Sequence, residues 1–239
     1  MNTHPRLSAP ALMTLHGETL FRHDENGRLS AINEPGFPAP PRFWMGRTLH
    51  GNQWRFHHAL PAATVAAVEA LCQAEPITQD LRQPPQNTDA IKAALGHHAP
   101  IRSDYRGPAY WIPEGAGTSQ QATVITTANA ELLRRYFADL LEPDAYHTIG
   151  PVAAVVVDEC AVSVCFCSRI PGRATEAGVN THPDYQGRGY ATAAVAGWAA
   201  AVYHQGCLPL YSTSWDNLAS QAVARKLGMV CYGEDWSLR

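Results

Sequence analysis

Lysine is almost missing from this chain. Lys92 and Lys226 are its only two lysines among 18 basic residues, and 21 acidic residues leave a formal charge of −3. A protein that follows a phosphate backbone concentrates positive charge on one face, so this balance argues against nucleic acid or an anionic membrane as partner. Long apolar runs are missing too. No stretch approaches the roughly 20 residues needed to cross a bilayer. The opening MNTHPRLSAPALMTLHGETL lacks the apolar run behind a basic start that marks a signal peptide. The six cysteines contain no C-x-x-C pair and mostly stand in apolar runs, which excludes a disulfide framework and fits reduced thiols in a cytoplasmic protein. Gly-x-Ser-x-Gly and His-Glu-x-x-His are absent. His57–His58 and His97–His98 are adjacent pairs; neighbours along a strand face opposite ways, so no metal is expected.

What remains is an ordinary globular composition, 46% hydrophobic and 16% charged over 239 residues, enough for one large domain or two small ones. Residues 1–60 are rich in proline and aromatics and read as an N-terminal extension, with 61–239 as the main domain. WRFHHAL (54–60) suits a strand, residues 64–74 a short helix, and DYRGPAYWIP (104–113) a weak strand. TTANAELLRRYFADLLEP predicts a helix: Leu132, Leu133, Tyr136, Phe137, Leu140 and Leu141 fall at helical spacing and Pro143 closes it. After Gly150 the pattern sharpens. PVAAVVV predicts a strand buried on both faces, Asp158–Glu159 a turn, and AVSVCFCSRI and ATEAGVNTH two further strands. A glycine-rich loop and an alanine-rich helix to His204 follow. Then come the strand LPLYSTSW, a helix opened by Asn217 and ended by Gly228, and a last strand. The order β-β-β-α-β-α-β implies a mixed α/β sheet with helices packed on it.

The segment HPDYQGRGYATAAVAGWAA changes from turn formers to helix formers at Gly189. A helix start leaves several N–H groups without partners and carries partial positive charge, so it holds phosphate. Gly187 and Gly189 let backbone approach the anion, and Arg188 adds charge if it turns inward. The inferred ligand is a pyrophosphate.

VNTHPDYQGRGYATAAV resembles the acetyl-CoA motif of the GCN5-related N-acetyltransferases (GNAT), here Gln186-Gly187-Arg188-Gly189-Tyr190-Ala191. YSTSWDNLASQAVARKLGM resembles the same family's second half, and the likeness covers about residues 150–239. It implies the GNAT fold, a mixed central sheet flanked by helices with two splayed parallel strands holding acetyl-CoA. By that resemblance, backbone groups of Val179, Asn180 and Thr181 hold the pantetheine arm. Amides from Gly187 to Thr192 bind the pyrophosphate, and Asn217 and Ser220 face the cofactor. Glu176, ten residues before Gln186, is the candidate base, and by alternation shares a face with Gly178 and Asn180. Where family members often carry a Tyr acid, seven residues after Asn217, this chain has Ala224. Ser214, Ser220, Tyr211 and Tyr232 are the nearby hydroxyls, with Ser214 set beside Glu176 as a catalytic candidate.

The resemblance further implies transfer of an acetyl group to a primary amine. The ending YSTSWDN is similar to antibiotic-modifying members, which points to an aminoglycoside-type acceptor such as kasugamycin and to antibiotic resistance. Asp104 and Glu114 with Tyr105, Tyr110 and Trp111, together with Trp215, are candidates to receive a cationic sugar. The alternatives are a metabolite or peptide amine, or an acetyl-CoA-sensing module without chemistry. Residues 1–60 are expected to help build the acceptor pocket, and the assembly is left open, a homodimer included.

Overall fold

A computed structural model of the protein describes residues 7–117, 121–141 and 148–239. Its centre is a nine-stranded sheet. The chain enters through helix α1 (Ala9–Leu20), capped by Ser8, and a small hairpin, β1 (Phe21–His23) and β2 (Leu29–Ile32). Then β3 (Phe43–Thr48) and β4 (Gly51–Phe56) form an antiparallel pair, followed by α2 (Ala62–Gln73), α3 (Thr88–His98) and β5 (Asp104–Trp111). The second half runs β6 (Ala122–Ile125), β7 (Val152–Val157), β8 (Cys160–Cys167), β9 (Ala174–Thr181), α4 (Tyr190–His204), β10 (Leu208–Ser212), α5 (Leu218–Lys226) and β11 (Val230–Leu238). The strands lie in the order β4-β3-β11-β5-β10-β9-β8-β7-β6, and only β9 and β10 run parallel. This is the mixed α/β architecture expected.

The predicted strand at 54–60 is shifted toward the N-terminus, to Gly51–Phe56, where it pairs with β3. Residues 1–60 therefore supply two strands of the main sheet. In addition, β5 lies between β10 and β11, so an N-terminal strand is threaded between two C-terminal ones.

One expectation fails. The helix predicted over TTANAELLRRYFADLLEP is two 3-10 turns, Ala130–Leu133 and Ala138–Leu141. Pro143 lies outside the described residues. Asn129 turns its side chain back to the Thr126 amide and the Val124 carbonyl, which ties the segment to β6. Leu133, Phe137 and Leu140 still bury their apolar face on the sheet, so the hydrophobic spacing survives while tertiary packing overrides the helix period.

The two faces of the sheet are unlike. Helices α2, α3, α4 and α5 cover one; α1, the small hairpin and the 3-10 segment cover the other. Strand β7 is buried on both sides, with Ala153 and Val155 against α4 and Val152 and Ala154 against the opposite cluster. Cys165 and Cys167 also pack toward α4. That helix sits close because its inner face is small: a Cβ added at Gly197 would stand 2.5 Å from the Cβ of Ala122. Asp158 and Glu159 make the β7–β8 turn at φ 48° and 60°.

Candidate functional site

The site begins where two strands part. Strands β9 and β10 pair from Ala174 with Leu208 to Glu176 with Leu210. Beyond that point β9 continues along β8 to Thr181, whereas β10 follows β5. The edge of β9 from Ala177 onward thus faces a wedge rather than a neighbouring strand.

On the helical face the wedge opens into a cleft of about 500 Å3. Val179, Asn180 and Thr181 form its floor, and Gln186, Gly187, Gly189, Tyr190, Ala191 and Thr192 one wall. The other wall is Tyr211, Asn217, Ser220, Val223 and Lys226. Every cofactor candidate read from the sequence lines this cleft except Arg188. That guanidinium donates instead to the Asp184 carbonyl at 3.0 Å and lies 5.2 Å from the Tyr185 ring centre. It braces the loop and does not turn inward.

Local chemistry explains the loop. Gly187 and Gly189 stand at φ 75° and 83°, where a Cβ is strained, and space above both is open. Gly189 caps α4 without a side chain, so the first-turn N–H groups of Tyr190, Ala191 and Thr192 have no intrahelical acceptor and point at the cleft. Gln186 donates to the Thr181 carbonyl at 3.3 Å, holding the loop to the end of β9. Behind it His182, Tyr136 and Tyr185 pack ring on ring, with 4.0 Å between the Tyr136 and His182 centres. Across the cleft the Asn217 side chain accepts the Ser220 amide at 3.0 Å, so the cap anticipated at Asn217 forms while the residue also lines the cleft. The Tyr211 hydroxyl is 2.5 Å from that of Ser220. Burial pushes the Tyr211 phenol up to about 12, which keeps it protonated. Ala224 is packed in the core. Sequence reasoning passed over Lys226. The rarity of lysine was the available signal: one of only two stands on this wall.

The opposite face of the wedge is polar and buried. Glu176 is 4% exposed, and neither carboxylate oxygen has a well-formed hydrogen bond. Burial raises its proton affinity, offset in part by His16, the adjacent Ser212 hydroxyl and Arg169. Tyr105 stands on the same face beside Ser212, its phenol pushed far up by burial. Tyr232 is not at the cleft; its hydroxyl is 2.5 Å from Nδ1 of His16. Ser214 holds the β10–α5 turn through its carbonyl, which accepts from Asn217 and Gln221.

The acceptor candidates are not brought together. Tyr105 and Trp111 share the sheet face of Glu176, six residues apart on β5. Asp104 pairs with Lys92 and accepts the Trp236 indole N–H at 2.9 Å on the other face. Trp111 is at the far end of β5, donating to Tyr203 at 2.9 Å, and Glu114 is exposed beyond it. Tyr110 packs against Tyr211. Trp215 donates to the buried Glu234 at 2.8 Å and lies under Arg82. Among the described residues no group of three or more His, Cys, Asp or Glu side chains could hold a metal ion, and no helix is long and apolar enough to cross a membrane.

Residues 119–234 match the family model for GNAT acetyltransferase. No curated protein matches the sequence. Among solved structures, a tandem GNAT protein from the clavulanic acid biosynthesis pathway is 15% identical, with TM-score 0.47, over 98% of this chain and 89% of that one. A GCN5-related N-acetyltransferase-like protein from Streptococcus suis 89/1591 is 16% identical, with TM-score 0.47, over 84% and 85%. A GNAT-family protein from Novosphingobium aromaticivorans DSM 12444 is 17% identical with TM-score 0.46; this chain, matched over 58% of itself, spans 65% of that one.

Proposed function

We propose that this chain, whose residues 119–234 match the family model for GNAT acetyltransferase, transfers the acetyl group of acetyl-CoA to a primary amine of a small molecule. The observation that carries the reading is the single cleft joining the bare start of α4 to the parting of β9 and β10.

The residues present fit the cofactor of this family. Open space over Gly187 and Gly189 and the first-turn amides of α4 suit a pyrophosphate, and Lys226 adds a cation across the cleft. The edge of β9 at Val179–Thr181 suits the amide groups of a pantetheine arm. Acetyl-CoA supplies the activated acetyl group when bound. The chain positions it and handles the proton of the attacking amine. Glu176 is buried at the apex of the wedge, so it takes that proton through Ser212, the half-buried hydroxyl beside it.

For the acceptor, an aminoglycoside-type amino sugar remains the reading offered. Glu176 and Asp235 are buried on the sheet face away from the cofactor cleft, the face left for an acceptor. The α1 helix, from the N-terminal 60 residues, covers that face, in keeping with a role in acceptor selection.

Thiol release from acetyl-CoA on addition of an amine panel tests both levels. Kasugamycin and other aminoglycosides are compared with spermidine, amino acids and peptide amines. Turnover with amino sugars above the rest is expected. Turnover confined to another amine would replace the acceptor class, and none with any amine would leave a binding module.

A further inference from the structure

A second ionisable side chain is buried on the same side of the sheet as Glu176. His16, on α1, is fully buried. Its Nδ1 is 2.5 Å from the Tyr232 hydroxyl, and its Nε2 is 3.8 Å from Oδ2 of Asp235, too far for a hydrogen bond. Asp235 is itself fixed from the other side, where the Trp44 indole N–H donates to Oδ1 at 2.5 Å. The bulge in β11 at Gly233 puts Tyr232 and Asp235, three residues apart, on one face. Among the described residues, Nε2 of His16 and both oxygens of Glu176 are buried polar atoms without a well-formed hydrogen bond. Such atoms in one buried cluster cost free energy unless charge complementarity offsets it.

We propose that His16, held between Tyr232 and Asp235, is a positioning residue whose positive charge keeps the Glu176 carboxylate available as a proton acceptor.

The inference rests on the acetyl-transfer reading and gives α1 a specific part in it. The charged and titratable groups facing the pair are Asp235 and Tyr232 from β11, Tyr105 from β5 and Arg169 from the β8–β9 loop. Ser212 of β10 supplies a neutral hydroxyl. Arg169 also favours an ionised Glu176, but its guanidinium donates to Glu34 at 3.1 Å, which engages much of its charge. Burial pulls the His16 imidazole toward its neutral form, and Asp235 and Glu176 outweigh it, so its proton affinity ends above the ordinary value. As the amine nitrogen bonds to the acetyl carbon and the C–S bond breaks, the proton of the amine passes through Ser212 to Glu176 and on to solvent. The departing thiolate takes a proton from solvent, and His16 keeps its own.

Removing the cation makes Glu176 harder to ionise. In His16→Gln the acidic limb of the kcat–pH profile should move up by about one pH unit, a tenfold change in proton affinity. At neutral pH kcat should fall several-fold with the Kd for acetyl-CoA unchanged. A merely structural role would lower Tm and leave the limb in place, and that result overturns the proposal. If His16→Gln does not fold, the reciprocal measurement decides. Ring nitrogen NMR of His16 should show its titration moving to lower pH in Glu176→Gln, and an unmoved titration overturns the proposal. A parent protein that acetylates no amine would defeat the acetyl-transfer reading instead, while the NMR arm still reports on the pair.

Discussion

At the residue scale the informative groups are those whose environment contradicts their chemistry. Glu176 is a carboxylate in the core with no well-formed hydrogen bond, a costly placement that a stable fold avoids unless the group has a use. Its raised proton affinity fixes a sign: folding favours the protonated form, so the group costs nothing at low pH and lowers stability as pH rises through its folded pKa. Glu176→Gln should therefore melt above the parent at pH 8, with the difference shrinking toward pH 4. The same change should slow turnover by about 10²-fold or more with cofactor affinity intact, read by calorimetry and thiol release. Gly189 is the opposite case, a residue present for what it lacks. At φ 83° a side chain costs about 1–2 kcal/mol and intrudes on the anion cradle. Gly189→Val should weaken acetyl-CoA binding at least about tenfold by titration calorimetry while the circular dichroism spectrum is retained.

At the scale of elements, the site is made by ends. The parting of β9 and β10, the uncapped start of α4 and the capped start of α5 converge on one cleft. The two helix starts differ: α5 has its Ser220 amide satisfied by the Asn217 side chain, and α4 has no side-chain cap and opens on the cleft. Asn217→Ala should cost about 1 kcal/mol of stability in denaturant unfolding, the usual loss of such a cap. It should also raise the Kd for acetyl-CoA, because the same residue lines the cleft. The 3-10 segment shows an element bent to service the site. Its Tyr136 packs on His182 and Tyr185 beneath the glycine loop, where a continuous helix was anticipated.

Across the whole molecule, the two halves of the chain are joined at their polar core. Glu234 of β11 is fully buried; it pairs with Arg47 of β3 and with Arg106 of β5 and accepts from Trp215 in the turn before α5. Arg47 is 1% exposed, so deleting its counter-charge strands a buried cation. Glu234→Gln should cost about 3–5 kcal/mol in urea unfolding, and the loss should be felt in both halves as one cooperative transition. Because β5 lies between β10 and β11, separating the N-terminal strands from the C-terminal ones would open the sheet in its middle.

The candidate cofactor cleft was legible from the chain because its geometry is local. A strand, two glycines and a bare helix start follow one another over Ala174–His204, and backbone amides need no distant partner. Asn217 read correctly for the same reason, since a cap acts over three residues. The acceptor side is long-range chemistry. His16, Asp235 and Glu176 lie on α1, β11 and β9, and their meeting depends on strand order and on a bulge that no local pattern announces. Trp111 and Trp215 were candidates alongside Tyr105, but the length of β5 puts Trp111 at its far end beside Tyr203, and the turn after β10 carries Trp215 to Glu234. Local sequence determined where the glycine loop and the bare helix start stand; the register of the sheet decided which charges face one another behind them, because pairing between distant strands is set only when the whole sheet closes.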